Sequence, residues 1–185
     1  MNTDLVILRH GLSLDGYGAA PPGVPEDFFV EYDEDEEFVA HMGEFLGRAG
    51  VHAMGSRTYR DMAGHWPYQS GVEADAMNTI PKVVFSSRPI ETPWEQTTVC
   101  SGDLATEFAG LKAKGVGPIM VHGGVRFAQS VVRAGLVDEF HLLIKPVAHG
   151  AGGPLFTEFT KLKLVDVKSF PRGNLALTYV RPDAD

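Results

Sequence analysis

Short apolar runs that stop at glycine, serine or proline recur along this chain, and several are followed by residues at helical spacing. Leu5-Val6-Ile7-Leu8 reads as a buried first strand. It gives way to the glycine-punctuated residues 11–18, where Asp15-Gly16 turns the chain, and residues 20–25 extend this into a long loop of the kind that forms lids. An acidic segment, residues 31–37, precedes Phe38, Met42, Phe45 and Leu46 at helical spacing. Acids at that position suit a helix N-terminus, so a solvated helix start is preferred to a catalytic cluster. Val51-His52-Ala53-Met54 predicts a second strand, broken by Gly55-Ser56-Arg57-Thr58, which starts a helix. Lys82-Val83-Val84-Phe85 predicts a third, ended by Ser86-Ser87-Arg88 and the proline that follows. Asp103 is placed to cap a helix carrying Leu104, Phe108 and Leu111. Ile119-Met120-Val121 stops at Gly123-Gly124, and Phe127, Val131 and Ala134 then mark one side of a helix closing near Gly135. Residues 140–147, 162–167 and 175–180 read as later strands, the last two joined by a turn at residues 171–174. Early alternation of β and α with a late strand pair predicts an α/β fold, a largely parallel sheet with an antiparallel edge.

Three of these strand ends carry compatible chemistry. A buried strand feeding a helix through Gly123-Gly124 lets phosphates approach main-chain N–H groups, where the helix dipole favours negative charge. Gly55-Ser56-Arg57-Thr58 adds a guanidinium fork and two hydroxyls. Ser86-Ser87-Arg88 can hold the phosphate of an adenosine ribose. In doubly wound sheets ligands gather outside the carboxyl ends of the strands, which is where all three would lie. His122 is expected to be packed or hydrogen-bonded locally rather than to face a ligand. Trp66 and Trp94, in proline-containing loops, are expected to serve packing.

Composition narrows the classes. With 185 residues, 44% hydrophobic and 22% charged, the chain is most economically one soluble domain spanning residues 1–185. A net charge of −8 argues against a protein built to grip nucleic acid or an anionic membrane. The single Cys100 fits a reducing cytoplasm and reads as a small buried thiol. The N-terminus lacks a signal-peptide pattern, and no apolar run approaches the ~20 residues of a membrane span. GxGxxG, Walker A, HExxH and paired Cys–His spacings are all missing, so neither a standard Rossmann or P-loop site nor a metal site is expected.

The order Leu12-Ser13-Leu14-Asp15-Gly16-Tyr17, Met54-Gly55-Ser56-Arg57-Thr58-Tyr59, Lys82-Val83-Val84-Phe85-Ser86-Ser87, Val121-His122-Gly123-Gly124 and Gly135-Leu136-Val137-Asp138-Glu139-Phe140 resembles the dihydrofolate reductase-like superfamily. It is most similar to the reductase domain of the bacterial riboflavin-biosynthesis deaminase–reductase and its stand-alone relatives, and no deaminase zinc motif accompanies it. The resemblance implies a three-layer fold around a mostly parallel sheet of about eight strands ending in an antiparallel hairpin. It implies NADPH as cofactor and hydride transfer to a C=N or C=O of a small pterin-, pyrimidine- or carbonyl-type substrate. By position, Gly55, Ser56, Arg57 and Thr58 would meet the cofactor's phosphates, and Ser86, Ser87 and Arg88 the 2′-phosphate end. Gly123, Gly124, Val125, Arg126 and Phe127 would pass under the pyrophosphate. Many members join these glycines by a cis peptide, at a cost of ~3 kcal/mol or more. Ser56 stands where many relatives have Arg, which leaves the 2′-phosphate to Arg57 and Arg88. No single acid of residues 31–37 aligns with the pterin-binding acid of dihydrofolate reductases, so Asp15 is the catalytic candidate, orienting substrate or a proton-relaying water. The competing role for Asp15 is shaping its own turn. A homodimer joined through the late strands is also implied. The alternative function is a non-catalytic dinucleotide-binding protein on the same fold.

Overall fold

A computed structural model describes residues 5–24 and 35–182. Glu31, Asp33 and Glu34 of the acidic segment lie outside the described residues.

The first strand, β1, spans Val6–Ser13 and so runs five residues beyond the apolar segment that announced it. Arg9 and His10 continue its period-2 alternation with polar side chains, because neighbouring strands enclose them on both edges. A tight turn, with Gly16 N–H donating to Ser13 O (2.9 Å), leads to β2, Tyr17–Ala19. Helix α1, Glu36–Leu46, starts on Asp35, whose carboxylate accepts from Phe38 N–H at 3.1 Å, the helix start expected of that acidic run. There follow β3 (Val51–Gly55), α2 (Ser56–Ala63), a single 3-10 turn at Trp66–Tyr68, α3 (Val72–Thr79) and β4 (Lys82–Phe85). Then come β5 (Thr97–Cys100), α4 (Leu104–Ala113), β6 (Ile119–His122) and α5 (Val125–Arg133). The remaining strands are β7 (Glu139–Lys145), β8 (Gly153–Pro154), β9 (Lys163–Ser169) and β10 (Leu175–Val180). Asp103 caps α4, and Gly135 takes φ 70° just beyond α5, both as the sequence predicts.

Eight strands form one sheet in the order β5-β4-β3-β6-β1-β7-β10-β9, while β2 pairs with β8. Every pairing from β5 to β7 is parallel, and β10 and β9 add the antiparallel edge. Alternation along the strands divides the core into two layers. Val6, Leu8, Ala53, Val121 and Phe140 pack under α4 and α5 through Phe108, Ala128 and Val131. Ile7, Met54, Met120 and Leu143 pack under α1 and α3 through Phe38, Met42, Phe45 and Met77. Each fully buried aliphatic or aromatic side chain of these layers contributes about 1.5–3 kcal/mol of hydrophobic stabilisation. Trp94 is buried in the second layer, its indole N–H donating to Asn78 Oδ1 at 2.9 Å, so packing is its role. Among the described residues no helix is long and apolar enough to cross a membrane, and no trio of His, Cys, Asp or Glu could hold a metal ion.

Candidate functional site

Strands β4, β3 and β6 are adjacent and parallel, so their carboxyl ends open on one edge of the sheet. All three predicted junctions therefore meet. Gly55 is level with Phe85, and a methyl on Gly55 would lie 3.2 Å from Phe127 Cβ. The Phe85 and Phe127 rings pack with centroids 5.1 Å apart, joining the end of β4 to the first turn of α5. Thr58 Oγ1 donates to Gly123 O at 2.9 Å and thereby clamps the start of α2 onto the glycine bend. Gly124 follows closely, since a methyl there would sit 2.8 Å from the same hydroxyl.

Beneath the bend lies His10. A side chain at Gly123 or at Gly18 would occupy its ring, so both glycines are required by close approach. The described peptide bonds are all trans, Gly123–Gly124 included. This corrects the cis expectation: here the missing side chains alone serve the close approach.

Helices α2 and α5 begin on Gly55 and Gly124 with no side-chain cap, whereas α1 and α4 begin on capping aspartates. Helix α3, which packs on the other face, also lacks a side-chain cap. At α5, Phe127 and Ala128 N–H donate to Gly124 O, which leaves the N–H groups of Val125 and Arg126 without an intrahelical acceptor. Arg57, Arg88 and Arg126 are exposed around this edge. The twelve junction residues carry three arginines and no acid, in a chain of net charge −8. The predicted residues divide by role. Thr58 and Phe127 brace the junctions, and Ser86 spends its hydroxyl on its own turn, donating to Arg88 O at 2.7 Å. Ser87 and the three arginines face outward.

Asp15 lies at the same edge, on the turn after β1. Its carboxylate accepts from Ser13 Oγ (2.6 Å), His149 N–H (3.0 Å) and Gly150 N–H (2.7 Å). Those hydrogen bonds, Ser13's first, hold it well below the usual carboxylate range. Asp15 thus ties the turn to the loop after β7 as an ionised acceptor. Asp35, the first described acid of the acidic segment, is buried and caps α1.

The sequence reading missed a row of buried polar groups on the α1 side of the sheet. Arg9 is level with His122 on β6 and with His141 on β7. His122 Nε2 lies 2.8 Å from His52 Nδ1, the local bond expected of it, and His52 Nε2 lies 3.3 Å from Ala76 O. His141 stacks on Phe45 at 3.6 Å between centroids. Burial, then the Arg9 charge among other terms, pushes His10 down to about 4 and His141 to about 3. Burial likewise holds His52 at about 4 and His122 well below its ordinary value. The available signal was polar residues continuing a strand's alternation beyond its apolar run. Cys100 is a free, half-buried thiol that burial and Glu107 push up to about 11, which makes it a poor nucleophile.

Residues 4–176 match the RibD C-terminal domain. The chain belongs to that family. Its relatives include the Bacillus subtilis protein YyaP, uncharacterized, 33% identical over 182 residues that cover 94% of this chain and 93% of YyaP. The fold superposes on a Shewanella sp. PV-4 protein provisionally assigned to riboflavin biosynthesis, with a TM-score of 0.73, 25% identity and coverage of 96% and 99%. It also superposes on the Enterococcus faecalis dihydrofolate reductase solved with NADP(H), with a TM-score of 0.61, 13% identity and 98% of each chain covered. The dihydrofolate reductase-like architecture and the membership expected from the motifs are thereby established. Membership of the RibD C-terminal domain family makes this an oxidoreductase-type domain of the riboflavin-pathway kind.

Proposed function

We propose that this protein is an NADPH-dependent reductase acting on a small C=N or C=O compound. The observation that carries the reading is the single edge where Arg57, Arg88, Arg126 and two uncapped helix starts converge, with no acid among the twelve junction residues. That donor set fits a dinucleotide: open N–H groups of Val125 and Arg126 for a pyrophosphate, and the exposed Arg57, Ser87 and Arg88 for a 2′-phosphate. When bound, the reduced nicotinamide supplies hydride. The chain's own work is to neutralise phosphate charge, hold the glycine bend rigid through Thr58, and fix the turn after β1 through Asp15. With Asp15 ionised, the proton for the acceptor has to come from another donor or from water.

Replacing Arg57 and Arg88 with Ala tests the reading by titration. Each charge-assisted contact is worth roughly 1.5–3 kcal/mol, so NADPH affinity falls about tenfold or more per arginine while NADH affinity changes little. Equal losses for both cofactors would remove the 2′-phosphate assignment. Binding without turnover on pterin, pyrimidine or carbonyl acceptors would favour the non-catalytic dinucleotide-binding alternative.

The same reading includes a homodimer. Strand β9 is an edge strand that exposes Leu164, Val165 and Val167 at 47%, 58% and 51%. Sedimentation at micromolar concentration is expected to give a dimer, and a monomer there would discard this part.

A further inference from the structure

A cavity of about 430 Å3 opens at the far end of α5 from the glycine bend. Arg133, the last residue of that helix, lines it together with Arg181, which follows β10 at the level where β7 begins. Leu155, Glu158, Phe159 and Lys161, from the segment between β8 and β9, add to the lining. The volume falls in the roughly 300–1,000 Å3 range of small-molecule sites. The cofactor edge is at the carboxyl ends of the parallel strands and this cavity at their amino ends, so the two places are separate.

Charge here runs against the trend of the chain. Three cations, Arg133, Lys161 and Arg181, share the cavity with a single acid, Glu158, in a protein of net charge −8. None of the four forms an ion pair among the described residues. Like charges gathered without partners repel one another, and an anion placed among them relieves that repulsion. Helix capping explains part of Arg181: its Nε donates to Val137 O and its Nη2 to Val132 O, both at 3.2 Å, at the C-terminal end of α5. Those bonds use two of the five guanidinium N–H groups and fix its plane. The terminal fork, with three N–H groups, has no partner among the described residues. The apolar lining is equally one-sided, since Leu155 is buried whereas the Phe159 ring is 96% exposed. A lone exposed ring is ordinary, but beside a cationic cavity it offers stacking surface to a flat ligand.

We propose that this cavity is a second binding site, for a small aromatic carboxylate, with its head on the Arg181 fork and its ring over Leu155 and against Phe159. The fork matches two carboxylate oxygens bidentately, and Arg133 and Lys161 add attraction from the rim. A phosphate monoester carries more charge and would set it against Glu158, so it fits less well. The site lies outside the cofactor edge and stands whether or not the reductase reading holds.

Titration calorimetry on the full chain tests this with 2-naphthoate, its neutral counterpart 2-naphthamide, and 2-naphthyl phosphate. The carboxylate is expected to bind at least about tenfold more tightly than the amide, the worth of one charge-assisted contact. It should also bind more tightly than the phosphate, and equally well with and without NADPH. Arg181→Gln would strip the α5 cap, so the exposed Arg133 and Lys161 are the variants of choice. Arg133→Gln and Lys161→Gln should each lower 2-naphthoate affinity about two- to fivefold and leave 2-naphthamide unchanged. Phe159→Ala should instead weaken carboxylate and amide by the same factor. In amide NMR spectra 2-naphthoate should shift Gly135 and Phe159, which line the cavity, and leave Gly55 and Gly124 in place. Absence of binding, equal binding of carboxylate and amide, tighter binding of the phosphate, competition with NADPH, or shifts at the glycine bend instead overturns the proposal.

Discussion

Lowering the pH from 7 to 5 is expected to remove about 6 kcal/mol of folding stability, a large share of the 5–15 kcal/mol typical of a domain. The cause is the set of imidazoles held neutral by burial: His10, His141 and the hydrogen-bonded His52–His122 pair. In the unfolded chain each ring takes up a proton near its ordinary pKa of about 6.5. In the folded chain His10 and His52 do so only near about 4 and His141 near about 3. Stability is therefore complete above about pH 6.5, falls as the pH drops through that window, and levels off below the folded-state values. At pH 5 the linkage is about 2 kcal/mol for each of His10, His52 and His141, and His122 adds to it in the same direction. Urea unfolding at the two pH values measures the loss. His141→Phe keeps a ring stacked on Phe45 and should reduce the pH dependence by about one proton. A loss below about 2 kcal/mol would mean that the folded protein accommodates the charged rings.

Gly123→Ala is expected to damage both the fold and the cofactor edge. The new methyl falls on the His10 ring, and that ring cannot retreat because Gly18 closes the other side. Overpacking of this kind costs about 1–3 kcal/mol. The bend then moves away from Thr58 and takes the open N–H groups of Val125 and Arg126 with it. Two lost hydrogen bonds to charged oxygens, at roughly 1.5–3 kcal/mol each, predict at least about a 100-fold fall in NADPH affinity. Gly124→Ala should be milder, since its methyl meets only the rotatable Thr58 hydroxyl. His10→Ala in the Gly123→Ala background makes room again and should restore much of the loss, a coupling that a double-mutant cycle reads directly. Unchanged NADPH binding by Gly123→Ala would show that the bend is not part of the phosphate cradle.

The junctions themselves were legible along the chain. An apolar run, a glycine or Ser-Ser stop and a helical period are signals carried within about ten residues, and each of Gly55, Ser86 and Gly123–Gly124 stands at a strand end as expected. The same locality made Asp103 readable as a helix cap. Other features had an ambiguous local signal or none. The continuation of β1 through Arg9 and His10 was hidden because polar residues normally end an apolar run, and only the flanking β6 and β7 make burial there tolerable. The partners that occupy Asp15, His149 and Gly150, are 134 and 135 residues away. Their distance in sequence is why the tie between this turn and the loop after β7 could not be read before folding.

By itself, then, the sequence determined which strands end in phosphate-compatible turns and which family the chain joins, because both are written in short-range patterns of residue type. Only the tertiary structure decided that β4, β3 and β6 stand side by side, and that Arg9, His122 and His141 share one buried row. Strand order and burial depend on what packs alongside and above each residue, and no stretch of the chain carries that information alone.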